Sequence, residues 1–181
     1  MQWSDVMAFF REGTKSTYAA GVKPKYGELG SKYWIYRGSH ELLYRDEYRS
    51  NAEDGYDRVV GSRIIFLYEA PIWVMSYEGF VRVDEPEVVD LHRAALLEGA
   101  DEPNFSLTGG RGPCVKSVGS GEQGMRYLNS VSFSKEHRAP RIGTQRGFLD
   151  FHGYEEITKG MEHVALLSFD YTALGLVTNL P

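Results

Sequence analysis

Apolar residues first recur with a helical period. Val6, Met7, Phe9 and Phe10 fall three and four apart, so they line one face of a helix near the N-terminus. Ser4 is placed to cap that helix and Gly13 to end it. After a loop over 17–21 and a polar stretch, the period drops to two. Residues 33–36 read as a short strand. Residues 41–49 read as another, with Leu42, Tyr44, Asp46 and Tyr48 on one face. A polar turn over 51–57 leads into a hairpin of 59–68 and 72–78, joined by Glu69-Ala70-Pro71.

The cycle then restarts. Asp84-Glu85-Pro86 puts acids at a helix cap and proline in the first turn, with Val88, Val89, Leu91, Ala95 and Leu96 as the buried face and Gly99 as the stop. Residues 103–121 read as loop, 125–133 as a strand and 134–147 as a basic excursion. Residues 148–158 and 163–170 form a closing hairpin that turns at Lys159-Gly160. The order helix, loop, strand, hairpin thus occurs twice. A shift of 92 residues sets Gly61 on Gly153, Ile65 on Ile157 and, with no gap, Ser76 on Ser168; a shift of 83 sets Gly38 on Gly121 and Tyr44 on Tyr127. The expected fold is α+β, built of internally duplicated helix–β-hairpin units with a mostly antiparallel sheet. It forms one domain over 1–181 with halves of about 1–82 and 83–181. One such unit buries too little to stand alone. Two sharing a core about a pseudo-twofold axis would leave a groove there, a common place for ligands.

Composition narrows the function classes. The 181 residues carry 20 Lys and Arg against 25 Asp and Glu, so there is no basic excess to hold a phosphate backbone, and no direct nucleic-acid partner is expected. Aromatic residues at 13 % and 20 glycines favour strands and turns over a helix bundle. The lone cysteine, Cys114, excludes an internal disulfide and a thiolate metal site. The N-terminal stretch has neither signal- nor transit-peptide character, and no window reaches the roughly 18 apolar residues of a membrane span. A cytoplasmic protein with no membrane partner is the expectation.

Several short motifs resemble one known family. Thr17-Tyr18-Ala19-Ala20-Gly21, Gly38-Ser39-His40-Glu41-Leu42 and Tyr44-Arg45-Asp46-Glu47-Tyr48 are similar to its opening motifs. Pro71-Ile72-Trp73-Val74-Met75-Ser76-Tyr77-Glu78-Gly79 resembles its most distinctive run. Arg111-Gly112-Pro113 and His152-Gly153-Tyr154-Glu155-Glu156-Ile157 resemble its C-terminal half. Over nearly its whole length the chain looks like the bacterial domain of unknown function 5680. That resemblance implies a domain found alone or behind a helix-turn-helix segment in predicted transcription regulators. It implies no activity, cofactor or catalytic residue. The chain departs from the pattern in two ways. Arg63 stands where the family usually has an acid, and the sequence contains no helix-turn-helix segment, so a complete regulator of that type is not expected. The shift of 92 pairs Arg63 with Glu155, and the two are expected to meet across the axis.

The candidate chemistry is aromatic and acidic. Trp34, Tyr36, Tyr44, Tyr48, Trp73, Tyr77, Tyr127, Phe151 and Tyr154 form either the core of a β-rich domain or the wall of a pocket for a flat, amphipathic molecule. An ordinary core does not place a carboxylate such as Asp46 among buried phenols, and this keeps the pocket in view. The expected ligand-binding set is Tyr44, Asp46, Tyr48, Trp73, Tyr77 and Glu155, with the ligand stacked on Trp73 and Tyr44. Asp46, Glu78, Glu155, Glu156 and Asp170 could supply an acid–base pair, though Glu78 and Asp170 read equally well as solvated strand ends. The histidines 40, 92, 137, 152 and 163 have no metal-ligand spacing, and His92 reads as a helix-face residue. The glycine-rich run around Arg111 lacks the Lys-Ser/Thr of a phosphate loop and reads as a flexible loop. Cys114 has no evident catalytic histidine, and the basic run from Lys135 to Arg146 reads as a solvated loop. No catalytic residue, metal or cofactor is expected. The leading function is a non-enzymatic, sensor-like small-molecule-binding domain. The alternatives are a homodimerisation or protein-interaction module, and a hydrolase-like enzyme using paired acids.

Overall fold

Alternating side chains build one large sheet. The computed structural model describes residues 1–39, 41–82, 84–102, 110–133, 150–161 and 163–176. The basic excursion over 134–147, part of the glycine-rich loop, His40 and His137 lie outside them. In chain order the elements are α1 (Trp3–Lys15), β1 (Lys25–Tyr26), β2 (Lys32–Arg37), β3 (Leu42–Glu53), β4 (Tyr56–Leu67), β5 (Ala70–Arg82), α2 (Pro86–Asp101), β6 (Val115–Val118), β7 (Met125–Phe133), β8 (Asp150–Lys159) and β9 (Val164–Gly175). The nine strands are antiparallel neighbours in the order β1-β2-β3-β4-β5-β9-β8-β7-β6. Seven of the eight ladders join strands adjacent in sequence; β5–β9 alone closes a long loop. The fold is therefore α+β and mostly antiparallel sheet, as expected.

Both helices contact each other and the same face of the sheet. That inner face carries Tyr44 and Asp46 of β3, Arg63 and Ile65 of β4, Trp73, Met75 and Tyr77 of β5, and Phe169 and Tyr171 of β9, all buried. The period of two sends Ser76, Glu78, His152, Asp170 and Thr172 to the outer face, where they are exposed. No helix among the described residues is long and apolar enough to cross a membrane.

Local details differ from the sequence reading for steric reasons. The α1 cap is Gln2, whose backbone N–H donates to the Asp5 carboxylate at 2.8 Å; Ser4 is inside the helix. Gly13 does not end α1. It lies inside the helix against the Tyr44 ring, where an added Cβ would stand 2.7 Å from Cγ. Gly99 likewise lies within α2 rather than ending it. The β4–β5 turn is Tyr68-Glu69, both at positive φ, and not Glu69-Ala70-Pro71. A two-residue hairpin loop with both residues left-handed is the ordinary solution for twisted strands, but it normally recruits Asn or Gly, as Asp54-Gly55 does between β3 and β4.

The ladders contain a regular pattern. Asp46 faces Arg63 across β3–β4, and Asn129 faces Glu155 across β7–β8. Gly61 lies beneath the Tyr77 ring, and Gly153 beneath the Tyr171 ring. Bulges fall at Ile65/Phe66 and at Ile157/Thr158. Tyr77 and Tyr171 pair directly at the β5–β9 seam.

Trp73 is fully buried, its ring 4.9 Å from that of Phe10 on α1. Trp73→Ala should remove this anchor between helix and sheet and cost about 3–5 kcal/mol of unfolding free energy in a denaturant titration. A loss within 1 kcal/mol would mean that the indole is not a core residue.

Candidate functional site

The inner face of β3, β4 and β5 sets three polar side chains side by side. Arg63 Nε donates to Asp46 Oδ2 at 3.0 Å, and the Tyr77 hydroxyl donates to Asp46 Oδ1 at 2.8 Å. Tyr44 donates to Oδ2 from behind at 3.4 Å. Asp46 and Arg63 are 2 % and 3 % exposed, so this ion pair is desolvated, a costly arrangement unless hydrogen bonds compensate it. Here the carboxylate accepts three.

Glu155 of β8 anchors a second cluster. Its Oε1 contacts Arg111 and lies 3.1 Å from His92 Nε2 of α2; its Oε2 accepts from the Tyr127 hydroxyl at 2.8 Å. A carboxylate only accepts, so His92 carries its proton on Nε2. Its Nδ1 then accepts from the Tyr18 hydroxyl at 3.2 Å. Arg111 Nη2 is 3.3 Å from the same His92 Nε2, and both donate into Glu155 rather than to each other. The Arg111 guanidinium stands over the Tyr77 and Tyr171 rings, 5.7 and 5.6 Å from their centroids, on the central seam of the sheet. Asn129 completes the layer by accepting from Tyr171 at 2.5 Å and donating to the Gly112 carbonyl at 3.0 Å.

The two clusters meet at a cavity of about 390 Å³ between α2 and the sheet. Asp46, Arg63, Tyr77, His92 and Arg111 line its polar side. Rings and aliphatic groups line most of the rest, with Asp57, Asp90 and Arg93 among them. Trp34 stacks on Tyr48 at 5.7 Å, Tyr18 meets Trp34 edge-on, and Phe169 stacks on His92 at 5.9 Å. Val59, Val81, Val89 and Leu167 fill the gaps between the rings. Burial, reinforced by Arg111 and Arg63, holds the His92 imidazole well below its ordinary pKa, so it is neutral at pH 7. Burial pushes the Tyr18 hydroxyl up to about 12 against the opposing pull of Arg93, and burial keeps Tyr77 protonated too. The wall therefore offers neutral hydrogen-bonding groups and guanidiniums that already have carboxylate partners.

Of the six residues expected at a site, Asp46, Tyr48 and Tyr77 line this cavity. Tyr44 lies one layer behind, buried between Phe10 and Gly13. Trp73 belongs to the core. Glu155 is wholly buried beneath Arg111 and holds it without reaching the wall. The stacking of a ligand on Trp73 and Tyr44 is thus replaced by walls of Trp34, Tyr48, Tyr18 and Phe169. Arg63 and Glu155 do not pair with each other: each already has a closer partner, Asp46 and Arg111. Of the acids weighed for acid–base chemistry, Asp46 and Glu155 each anchor one of the buried clusters. Glu78 and Asp170 oppose each other on the outer face, and Glu156 accepts from Tyr154 at 2.7 Å. Sequence reasoning missed His92, Arg111 and Tyr18. His92 occupies a step of the Val88, Leu91, Ala95 stripe, and a titratable group in such a stripe is a signal of buried function. Arg111 had no such signal, because its contacts are all remote in sequence.

Two outcomes test this network. Arg111→Met should cost about 3–5 kcal/mol because Glu155 is left buried and unpaired, whereas Arg111→Met combined with Glu155→Leu should recover most of the loss. Equal losses in both would show that the charge pair is not the reason. The folded state resists the His92 proton that the unfolded chain accepts near pH 6.5. The His92 contribution is therefore complete above that pH and lost as pH falls below it, at no more than about 1.4 kcal/mol per pH unit. Denaturant titrations of wild type and His92→Gln between pH 7.5 and 5 should converge as the pH falls; parallel curves would exclude a buried neutral imidazole. Comparison of the chain with protein-family profiles and with curated proteins returns no match.

Proposed function

We propose that this chain is a non-enzymatic small-molecule-binding domain of the sensor type, with its ligand seat in the cavity beneath α2. The observation that carries this reading is the make-up of the cavity: aromatic side chains and buried charged side chains line it together. Apolar residues of similar volume would stabilise a solid core at least as well as paired ions do. A hollow of about 390 Å³ lies within the range of small-molecule sites. A cytoplasmic location and the company that the resembled family keeps with DNA-binding domains belong to the same proposal; both rest on sequence alone.

The proposal includes an ancestry for the site. The halves 1–82 and 83–181 are read as copies of one unit. Supporting this, a shift of 83 carries Tyr44 and Asp46 onto Tyr127 and Asn129, and a shift of 92 carries Gly61, Arg63 and Ile65 onto Gly153, Glu155 and Ile157, with the bulges in step. Tyr77 then matches Tyr171 rather than Phe169. The turn that separates Ile157 from its partner Leu167 is two residues longer than the one between Ile65 and Trp73, so the gapless shift ends at the hairpin. In the first copy the acid and the base are cross-strand neighbours. In the second they have become Asn129 and Glu155, and the cation comes from Arg111 instead. The cavity lies where the two copies differ.

Self-association is the second reading. It draws on the exposed Val60 and Leu174 of the outer face, although Ser76, Glu78, Asp170 and Thr172 make the centre of that face polar.

A thermal-shift screen of flat, hydrogen-bonding metabolites tests the first reading. A ligand at a hundred times its Kd should add about 2.7 kcal/mol and quench the fluorescence of Trp34, a signal absent in Trp34→Phe. A screen in which no compound stabilises the protein, together with a gain in stability from the space-filling Val89→Phe, would turn the cavity into a packing defect.

A further inference from the structure

The charges around the cavity identify a class of ligand. Three guanidiniums line it, and each already has a carboxylate: Arg63 has Asp46 at 3.0 Å, Arg93 has Asp90 at 3.9 Å, and Arg111 has Glu155 in direct contact. Asp57 adds a further negative charge to the wall. His92 brings none, since burial and the neighbouring arginines keep it neutral. An entering anion would find no uncompensated cation among the described residues. Arg93 Nε and one donor of Arg63 are nevertheless buried without a partner among the described residues, and of these two side chains Arg63 is the one removed from solvent. Arg63 reaches Asp46 through Nε alone, because the Asp46 carboxylate is already shared with Tyr77 and Tyr44. Its Nη1 is buried and has no hydrogen-bond partner among the described residues, and the side chain is 3 % exposed. A buried donor without an acceptor is costly, and a carbonyl oxygen satisfies it without adding charge.

We infer that the cavity takes a neutral, flat molecule whose carbonyl oxygen accepts from the Arg63 guanidinium, such as an aromatic amide or lactam, in preference to the corresponding organic acid. Its ring lies among Trp34, Tyr48 and Phe169. Asp46 enforces the choice. It neutralises Arg63 and, being negative itself, repels a carboxylate brought to the same guanidinium. This inference rests on the small-molecule reading above and adds the chemistry of the ligand to it.

The test uses a pair matched in shape, 2-naphthamide and 2-naphthoate, at pH 7 on the full chain, with Trp34 fluorescence and melting temperature as readouts. The amide should bind wild type at least tenfold more tightly than the acid. Asp46→Asn, which uncovers the Arg63 charge, should reverse that order, a change that a merely structural Asp46 would not produce. Should Asp46→Asn fail to fold, the wild-type comparison decides alone. Arg63→Lys supports it by weakening the amide about tenfold, because the shorter cation no longer presents a guanidinium to the carbonyl. Naphthoate binding as tightly as the amide overturns the inference and leaves the cavity a ligand site. Failure of both probes while other screened compounds bind and quench Trp34 also overturns it alone. Failure of every compound overturns it together with the small-molecule reading.

Discussion

The contact between Arg111 and Glu155 holds this molecule in its particular shape. Both side chains are almost completely removed from water, which disfavours each charge taken singly. The pair is tolerable because everything around it is used. Tyr127 and His92 bond the carboxylate, and Tyr77 and Tyr171 place their ring faces against the guanidinium. The two tyrosines come from different halves of the chain and pair directly across the seam. One cation therefore ties the loop after α2 to both halves of the sheet. Through His92 it also fixes the position of α2, and the space between α2 and β3–β5 follows from that placement.

The cavity beside this contact has a charge pair of its own. The inner faces of β3 and β4 carry a self-sufficient acid–base pair, so nothing from outside is needed to neutralise them, and room remains above. On β7 and β8 a directly paired amide and acid, Asn129 and Glu155, face the loop after α2. The missing cation is supplied by the loop, whose backbone fills the space by bonding to Asn129 and Tyr127. Asp46 and Arg63 thus border the open region, whereas Asn129 and Glu155 lie under the loop backbone that fills the other.

Much of the architecture was legible in the chain because it follows from periodicity. Seven of the nine described strands, both helices and the inward phase of Leu42, Tyr44 and Asp46 follow from alternation of two or recurrence at three and four; the short edge strands β1 and β6 lie in segments that read as polar stretch and loop. What escaped depended on contact rather than pattern. Gly13 and Gly99 look like helix stops, but they are present because Tyr44 and the Arg111 backbone need the space. Tyr68-Glu69 forms a tight turn with none of the usual turn residues. The acid at 46 announced itself as a charge in an apolar phase. Arg63 has the same property, a charge in phase with Gly61 and Ile65. Trp73 stands out as a large ring in the most distinctive stretch, yet it is fully buried in the core and does not line the hollow.

The meander order of the sheet has a kinetic consequence. Every ladder but one can close between neighbours in the chain, so hairpins can nucleate early and independently, while the β5–β9 seam must wait for a long loop to be brought together. The hollow spans that seam, with Arg63 and Tyr77 on one bank and Phe169 with the Arg111 loop on the other. It does not exist until the last joint is made. An occupant consequently has nothing to grip in the early intermediates. It acts as a latch on the finished body, lengthening the lifetime of the native state far more than it hastens its formation.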